Sequence, residues 1–351
     1  MKKSILIFMG VFALVFNAKA QDGFENILFA DLSDANELTK GYLTPAAEAL
    51  IFGMSNGWYH TAKVHKPFGF DIAIGGNFSF AGDNQNNFDI NSLKLSNKIT
   101  KNPSTSPTIF GKGAAAVNAF EVTIPANSDP NINGGTHPEL KRNFTMPDGY
   151  RDELPLNSVP TPVVQLSLGL PAKFEATLRF VPNVGSNETK ANLFGLGLKK
   201  EITDWFGPMD KTPLHISLLG AFTNMTISHN IKDPNGNDIN ITNGLAELKL
   251  NSYTFQALAS LNFPIINLYG GVGYTSGSST LRLAGEYDLQ YSDGINNYNR
   301  TLKDPLTLDY DASGFTTTVG ARLSLGFFKI FGAYTLQQYN TATLGVAISI
   351  R

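Results

Sequence analysis

The sequence predicts an all-β protein: a transmembrane, antiparallel, up-and-down β-barrel of about 12 strands, within a range of about 10 to 14, with a short N-terminal helical plug. Three observations predict it. The chain opens with an export signal. Its apolar residues recur every second position in segment after segment, and its mature part holds no apolar run near the about 20 residues a helical span requires. In hydrocarbon only helices and closed barrels satisfy every backbone polar group, so an exported membrane chain without such runs is a barrel.

The export signal occupies residues 1–20. Lys2 and Lys3 precede an apolar stretch at 5–16, and Ala18-Lys19-Ala20 forms a small-x-small cleavage site, with cleavage expected after Ala20. The mature part then has 24 basic and 29 acidic side chains, net −5, since the signal holds three lysines and no acid. That balance argues against nucleic acid as a partner, which needs a basic patch. There is no cysteine, hence no disulfide, thiolate metal site or lipoprotein anchor. The expected location is the cell outer membrane, with its lipid and the barrel-assembly machinery as partners.

The strands follow in order. Phe68, Phe70, Ile72, Ile74, Phe78 and Phe80 alternate with Gly69, Asp71, Ala73, Gly75, Asn77 and Ser79. Val164, Leu166, Leu168 and Leu170 alternate with Gln165, Ser167 and Gly169, and after a tight turn at Pro171, Phe174, Ala176, Leu178 and Phe180 alternate with Glu175, Thr177 and Arg179. Phe194, Leu196 and Leu198 oppose Gly195, Gly197 and Lys199, and Leu214, Ile216, Leu218 and Phe222 oppose His215, Ser217 and Thr223. Tyr253, Phe255 and Leu261 oppose Thr254, Gln256 and Ser260; Ile266, Leu268, Val272 and Tyr274 oppose Asn267, Gly271 and Gly273. Phe315, Val319, Leu323 and Leu325 oppose Thr316, Thr318 and Arg322; Phe328, Ile330, Tyr334 and Leu336 oppose Lys329, Ala333 and Thr335. The last strand sets Ala342, Leu344, Val346, Ile348 and Ile350 against Thr341, Thr343, Gly345, Ala347 and Ser349, and is expected to close the ring on the first. Arg351 departs from the terminal aromatic that barrel assembly usually favours.

A soluble β-sandwich would alternate too. Here, however, Asp71, Glu175, Arg179, Arg322 and Lys329 put full charges on one face in mid-strand, while the other face is almost purely apolar. Such a face suits lipid and would aggregate in water. The five charges are therefore the candidate lumen lining. Mutual pairing, or pairing with the plug, is slightly favoured over selection of a substrate. Both signs occur, so a strongly ion-selective pore is not indicated.

Short links at 171–172, 262–265 and 326–327 alternate with long polar links at 182–190, 226–248 and 276–310, as in a barrel with both termini in the periplasm. Within the longer link at 200–213, Trp205 and Phe206 suit a membrane interface. The short link at 338–340 is the exception. Residues 81–160 are too long for an idle loop. Extended pieces at 88–95 and 117–124 would make the wall 12-stranded if they join it and 10-stranded if they fold over the mouth; the reading leans to about 12.

Residues 21–67 precede the barrel, which takes up 68–351. Asp34 with Glu37 forms a capping-box pattern, and Thr44-Pro45 reads as the start of a short helix over 46–55, stopped by Asn56-Gly57. This segment is too short for a domain and is expected as a plug or hatch.

With Tyr42-Leu43-Thr44-Pro45-Ala46-Ala47 the chain resembles the FadL-type long-chain fatty acid and hydrocarbon transporters, whose hatch carries an Asn-Pro-Ala motif; Thr44 stands in place of the Asn. The run from Gly57 to Lys63 and the stretch 163–182 are also similar to uncharacterised outer-membrane proteins of Gram-negative bacteria. The FadL-type resemblance implies a small hydrophobic ligand caught by the outer loops and released past the hatch, with Leu43, Pro45, Leu50, Met54 and Trp58 as hatch residues. Leu43, Leu50, Met54 and Trp58 would then line one apolar pocket.

Catalytic and metal signals are thin. His60, His65, His137, His215 and His229 show no ligand spacing, and a solvated or interface role outweighs a metal site for each. His215 and Ser217 share a strand face, which alone does not make a hydrolase. Asp233-Pro234-Asn235-Gly236-Asn237-Asp238 looks like a calcium loop, but Gly244 stands where the bidentate Glu belongs. The reading assigns no catalytic residue, metal or cofactor. Passive uptake of small hydrophobic molecules is expected, with a structural or surface-binding barrel as alternative and a barrel lipid hydrolase behind both.

Overall fold

The computed structural model describes residues 24–350 apart from 118, 208–211 and 235–237. The expected signal segment and cleavage site, Arg351 and the centre of the calcium-like loop lie outside the described residues. A 3-10 turn, Phe24–Phe29, leads into helix α1, Leu32–Met54, and then into strand β1, Phe70–Phe80. Five short strands follow: β2 Asn87–Asp89, β3 Ile99–Lys101, β4 Thr105–Pro107, β5 Phe120–Ile124 and β6 Leu140–Phe144. The rest is long antiparallel sheet: β7 Ser158–Leu170, β8 Phe174–Gly185, β9 Thr189–Glu201, β10 Leu214–Ile231, β11 Ile239–Asn262, β12 Ile266–Ser292, β13 Asn297–Lys303, β14 Leu306–Leu325, β15 Phe328–Leu336 and β16 Thr341–Ile350.

Ten strands close the ring in the order β1, β7, β8, β9, β10, β11, β12, β14, β15, β16 and back to β1. The closing seam runs from Phe70 opposite Ile350 to Ser79 opposite Thr341, as the terminal alternation predicted. Ile72, Leu196, Phe255, Val272, Phe315 and Leu344 are exposed on the outside, whereas Asp71, Glu175 and Arg179 are buried inside. An apolar belt around charged interior positions is the arrangement of a membrane barrel and the reverse of a soluble sandwich. Trp205, Phe206 and Phe327 stand exposed at the short-turn end.

Two expectations are corrected. The pieces at 88–95 and 117–124 do not enter the wall, so the ring has ten strands, not 12. Strands β2 to β6 are 3 to 5 residues long, too short for the about 9–11 of a crossing. They form a two-stranded and a three-stranded sheet, a lid in the link between β1 and β7. Much of 226–248 and 276–310, expected as loop, is strand. β12 alone spans 27 residues, well over one crossing, and β10 to β14 rise above the belt as a tall half-wall. Their upper residues Ile239, Ile241, Leu283, Tyr287 and Leu289 are buried in one core with Phe120, Val122 and Phe144 of the lid and Ile27, Leu28 and Leu38. That core holds the extended strands together where water, not lipid, surrounds them.

The helix is also longer than expected. Asp31 is its N-cap, accepting from the Leu32 amide at 2.9 Å, so Thr44 and Pro45 fall in its interior. Pro45 cannot donate to Gly41, and the Thr44 hydroxyl donates to the Lys40 carbonyl at 2.6 Å. Gly41 is closely covered by Phe88 of the lid. Asp34 does not cap: its carboxylate accepts from the Ser96 amide and hydroxyl at 2.7 and 2.6 Å. Tertiary packing overrides the local start signal at Thr44.

The wall has one short seam. β7 and β8 pair only from Gln165 opposite Arg179 to Leu170 opposite Phe174, although β7 continues to Ser158 and β8 to Gly185. The Gly169 amide donates toward β1, to Gly69 at 2.8 Å. Backbone groups alternate sides along a strand, so the even positions of β7, Pro160 and Pro162 among them, face β8. Neither proline has an N–H to give. The sequence itself therefore keeps the upper half of this seam unpaired.

Candidate functional site

The N-terminal segment threads the lumen from end to end. At the loop end the Tyr291 hydroxyl donates to the Phe29 carbonyl at 2.9 Å, and Arg300 donates to the Ala30 carbonyl at 2.9 Å. At the short-turn end the Phe68 amide donates to Gly169 at 2.9 Å. The wall thus begins and ends at the short-turn side, but residues 24–31 lie at the opposite mouth. The expectation that both ends sit on one side therefore holds for the wall only.

Four of the five expected lumen charges converge on this segment. Arg179, fully buried, donates to the carbonyls of Met54 and Asn56 at 2.9 and 3.0 Å and lies 4.0 Å above the Trp58 ring. Trp58 packs on Gly195 and Gly197, where any Cβ would come within 3.0 Å of its ring. One step further along, the His60 ring lies between Asp71 at 2.7 Å and Arg322 at 2.9 Å, stacked on Phe331. Glu175 pairs with Lys199 at 2.7 Å and also accepts from the His65 amide at 3.0 Å. Lys199 donates to the Thr61 carbonyl at 3.2 Å. Glu201 accepts from the Val64 amide at 3.0 Å and pairs with His215 at 2.7 Å. Lys329 stands apart: half-buried at the short-turn end, it donates to the Gly326 carbonyl at 2.6 Å.

The hatch residues are buried but do not form one pocket. Leu43, half-buried, packs on Ala47, Leu308 and Tyr310; Pro45 is buried within α1; Leu50 and Met54 share a cluster with Leu193, Met225 and Tyr339. Trp58 belongs to a separate cluster with Tyr59, Leu258 and Tyr269. The expected common pocket of Leu43, Leu50, Met54 and Trp58 is therefore not there: wall side chains occupy its place. A gap of about 10 Å³ between Asn56, Tyr59, Gln256 and Thr335 has room for about one water. Leu50 and Met54 do lie behind the unpaired seam, in the cluster that holds Val159 of β7 and touches Val181 of β8.

The Ser217 hydroxyl donates to the Ala62 carbonyl, and His215 faces Glu201, so the pair His215 and Ser217 does not form a nucleophile with its base. Asp238, at the edge of the calcium-like loop, pairs with Arg142 at 2.8 Å. Among the described residues no cluster of three or more His, Asp or Glu is placed to hold a metal.

Sequence reasoning placed the wall charges and missed their partners. The alternation puts Lys199 on the inward face with Gly195 and Gly197, but the expected lumen charges leave it out, and Glu201 continues the same parity. His60 and His65 could not, because 55–67 has no periodicity to assign their faces.

Known structures are alike only remotely. The translocator domain of autotransporter NalP from Neisseria meningitidis is 11% identical, covers 90% of this chain and 99% of its own, and gives a TM-score of 0.33. The outer membrane protease OmpT from Escherichia coli is 10% identical over 81% of this chain and 97% of its own, with a TM-score of 0.33. A Pseudomonas aeruginosa FadL homologue is 12% identical over 89% and 95%, with a TM-score of 0.20. No curated protein matches the chain. A family model does, over residues 1–350, and by that match the chain belongs to the family of unknown function DUF6588.

Proposed function

We propose that this protein is an outer-membrane barrel shut in its resting state by its own N-terminal segment, and that it acts at its outer face through the lid and tall half-wall rather than as a standing pore. The observation that carries this reading is the engagement of Asp71, Glu175, Arg179 and Arg322 with residues 54–65. Charges held by the plug are not free to line a water path. The apolar belt supports the membrane location, and the short turns support a periplasmic side opposite the lid. Reconstitution in planar bilayers tests it: the wild type is expected to give no steady conductance at neutral pH, and a steady one overturns the closed barrel.

The second reading is uptake of small hydrophobic molecules past the hatch, and the β7–β8 seam favours it. Apolar Leu50 and Met54 lie behind backbone edges that Pro160 and Pro162 keep open. Exchanging both prolines for threonine restores two donors along that edge. If the seam serves uptake, cells carrying the double variant take up a fluorescent alkyl probe more slowly than wild type; equal rates sink this reading.

A further inference from the structure

His60 sits between a carboxylate and a cation on two different strands. Its Nε2 is 2.7 Å from Asp71 Oδ2 of β1 and its Nδ1 is 2.9 Å from Arg322 Nη1 of β14. A guanidinium offers donors only, so Nδ1 accepts, Nε2 carries the hydrogen and donates to Asp71, and the ring is neutral in one tautomer. The ring is 4% exposed and stacks on Phe331 of β15 with centroids 5.0 Å apart. Of the remaining charges nearby, Lys199 of β9 opposes a positive ring; Glu175 of β8 is already engaged with Lys199 and with His65.

His65 and His215 differ in one respect. Each presents its bonded nitrogen to a carboxylate, Glu175 at 2.8 Å and Glu201 at 2.7 Å, and among the described residues neither has a cation as a hydrogen-bond partner. For His60 a second proton strengthens the bond to Asp71 but adds a donor at Nδ1, facing a group that can only donate. Among the described residues Arg322 Nε lacks a partner, as does Asp71 Oδ1 of β1, and His60 is the plug residue to which the guanidinium is bonded.

We propose that His60 is a proton-operated latch: uptake of a proton at Nδ1 breaks the bond to Arg322, releases the lower part of the plug from that residue of β14, and loosens the barrel closure at its short-turn end. This rests on the reading that the plug shuts the barrel. The proton comes from solvent and no other bond is made or broken. Linkage fixes the sign. Burial, with the charges of Arg322 and Lys199, disfavours a positive ring in the closed state more than Asp71 favours it, so the loosened state binds more protons and gains as pH falls below the ordinary histidine value of about 6.5. For one proton the gain is at most about tenfold per pH unit.

The test follows single-channel opening and amide exchange of residues 57–62 from pH 8 to pH 5, in wild type, His60→Gln, His60→Asn and Arg322→Met. Wild type is expected to open more often and, with each rate divided by the intrinsic amide-exchange rate at that pH, to lose protection as pH falls, approaching about tenfold per unit. The His60 variants are expected to give flat profiles, and Arg322→Met, which removes the opposing cation, a much smaller step. A wild-type profile flat in both readouts overturns the latch, as does an unchanged acid step in both His60 variants. A wild type conducting steadily at pH 8 sinks the closed-barrel reading instead, and the exchange profile then decides the latch alone.

Discussion

The lower lumen and the cap above the membrane hold the same N-terminal segment by opposite means. In the lumen, residues 54–65 are fastened by ion pairs and hydrogen bonds: Arg179 on two carbonyls, His60 between Asp71 and Arg322, Glu175 on Lys199 and His65. In the cap, residues 27–38 are fastened mainly by apolar burial against Phe120, Phe144, Leu289 and Tyr291, with Tyr291 on the Phe29 carbonyl, Arg300 on the Ala30 carbonyl and Ser96 on Asp34 as polar ties at its edge. The difference follows from what lies outside each level. Within the belt the outward positions must be apolar for lipid, which leaves the inward positions to small, polar and charged residues. Above the belt both wall faces meet water or protein, so the inward face is free to be apolar, as in a soluble core. Buried ion pairs add little net stability over apolar packing, but each is costly to break. The lumen should therefore specify one plug position, and the cap should supply bulk stability.

The largest effects separate these two roles. Glu175→Leu leaves Lys199, 4% exposed, as a buried charge with only carbonyls for company, and should cost about 3–5 kcal/mol. Adding Lys199→Met should recover most of that loss, since the double change removes both charges. Phe120→Ala, which empties a fully buried site stacked 5.2 Å from Phe144, should cost a similar about 3–5 kcal/mol, but no single partner change should restore it. Thermal unfolding in detergent gives the totals, and amide exchange assigns them: plug residues 57–65 for the first, lid residues 120–124 for the second. Equal rescue in both regions would dissolve the distinction.

A middle-sized effect tests whether the plug fits the wall by shape as well as charge. Gly197→Val brings a side chain to within 3.0 Å of the Trp58 ring, and such overpacking typically costs about 1–3 kcal/mol. Displacement of the ring also disturbs its stacking under Arg179. Trp58 emission should shift as the ring moves. An unchanged spectrum and melting point would mean that the lumen has slack there.

How much of this was legible in the sequence follows from the same contrast. The wall was: Ile72 and Asp71, Leu178 and Arg179, Leu323 and Arg322 take opposite faces because a strand repeats every two residues and lipid tolerates only one kind of side chain. The cap was not. Ile239, Leu283 and Tyr287 stand beside Asn, Asp, Glu and Arg, which read as polar loop until the lid and helix gave them a core. Helix α1 was misjudged at its start because Thr44-Pro45 is a strong local signal, whereas Asp31 becomes the N-cap through a fold that local spacing does not encode. At the site, Asp71, Glu175, Arg179 and Arg322 were found by parity. His60 and His65 were not, since their partners are 11 and 110 residues away.

The smallest expected effect lies at the cap's edge and sharpens the contrast from the other side. Asp31 caps α1 and pairs with Lys98 at 2.6 Å, with its side chain 34% exposed. Burial pushes its carboxyl up, but the hydrogen bond and charge of Lys98, the charge of Arg300 and the Leu32 amide together hold it below its ordinary value of 3.8. A lowered carboxyl stabilises the fold above that ordinary value, and the contribution disappears as pH falls through the folded-state value. Asp31→Asn keeps the cap and removes the charge, so it should cost no more than about 1 kcal/mol at neutral pH, as expected of a solvent-screened pair. The loss should shrink further in high salt and fade as pH drops below the ordinary carboxyl value of 3.8. Melting curves at pH 7 and pH 3, in low and high salt, check this. A cost of several kcal/mol that ignores salt would mean that the cap, like the lumen, depends on a buried charge.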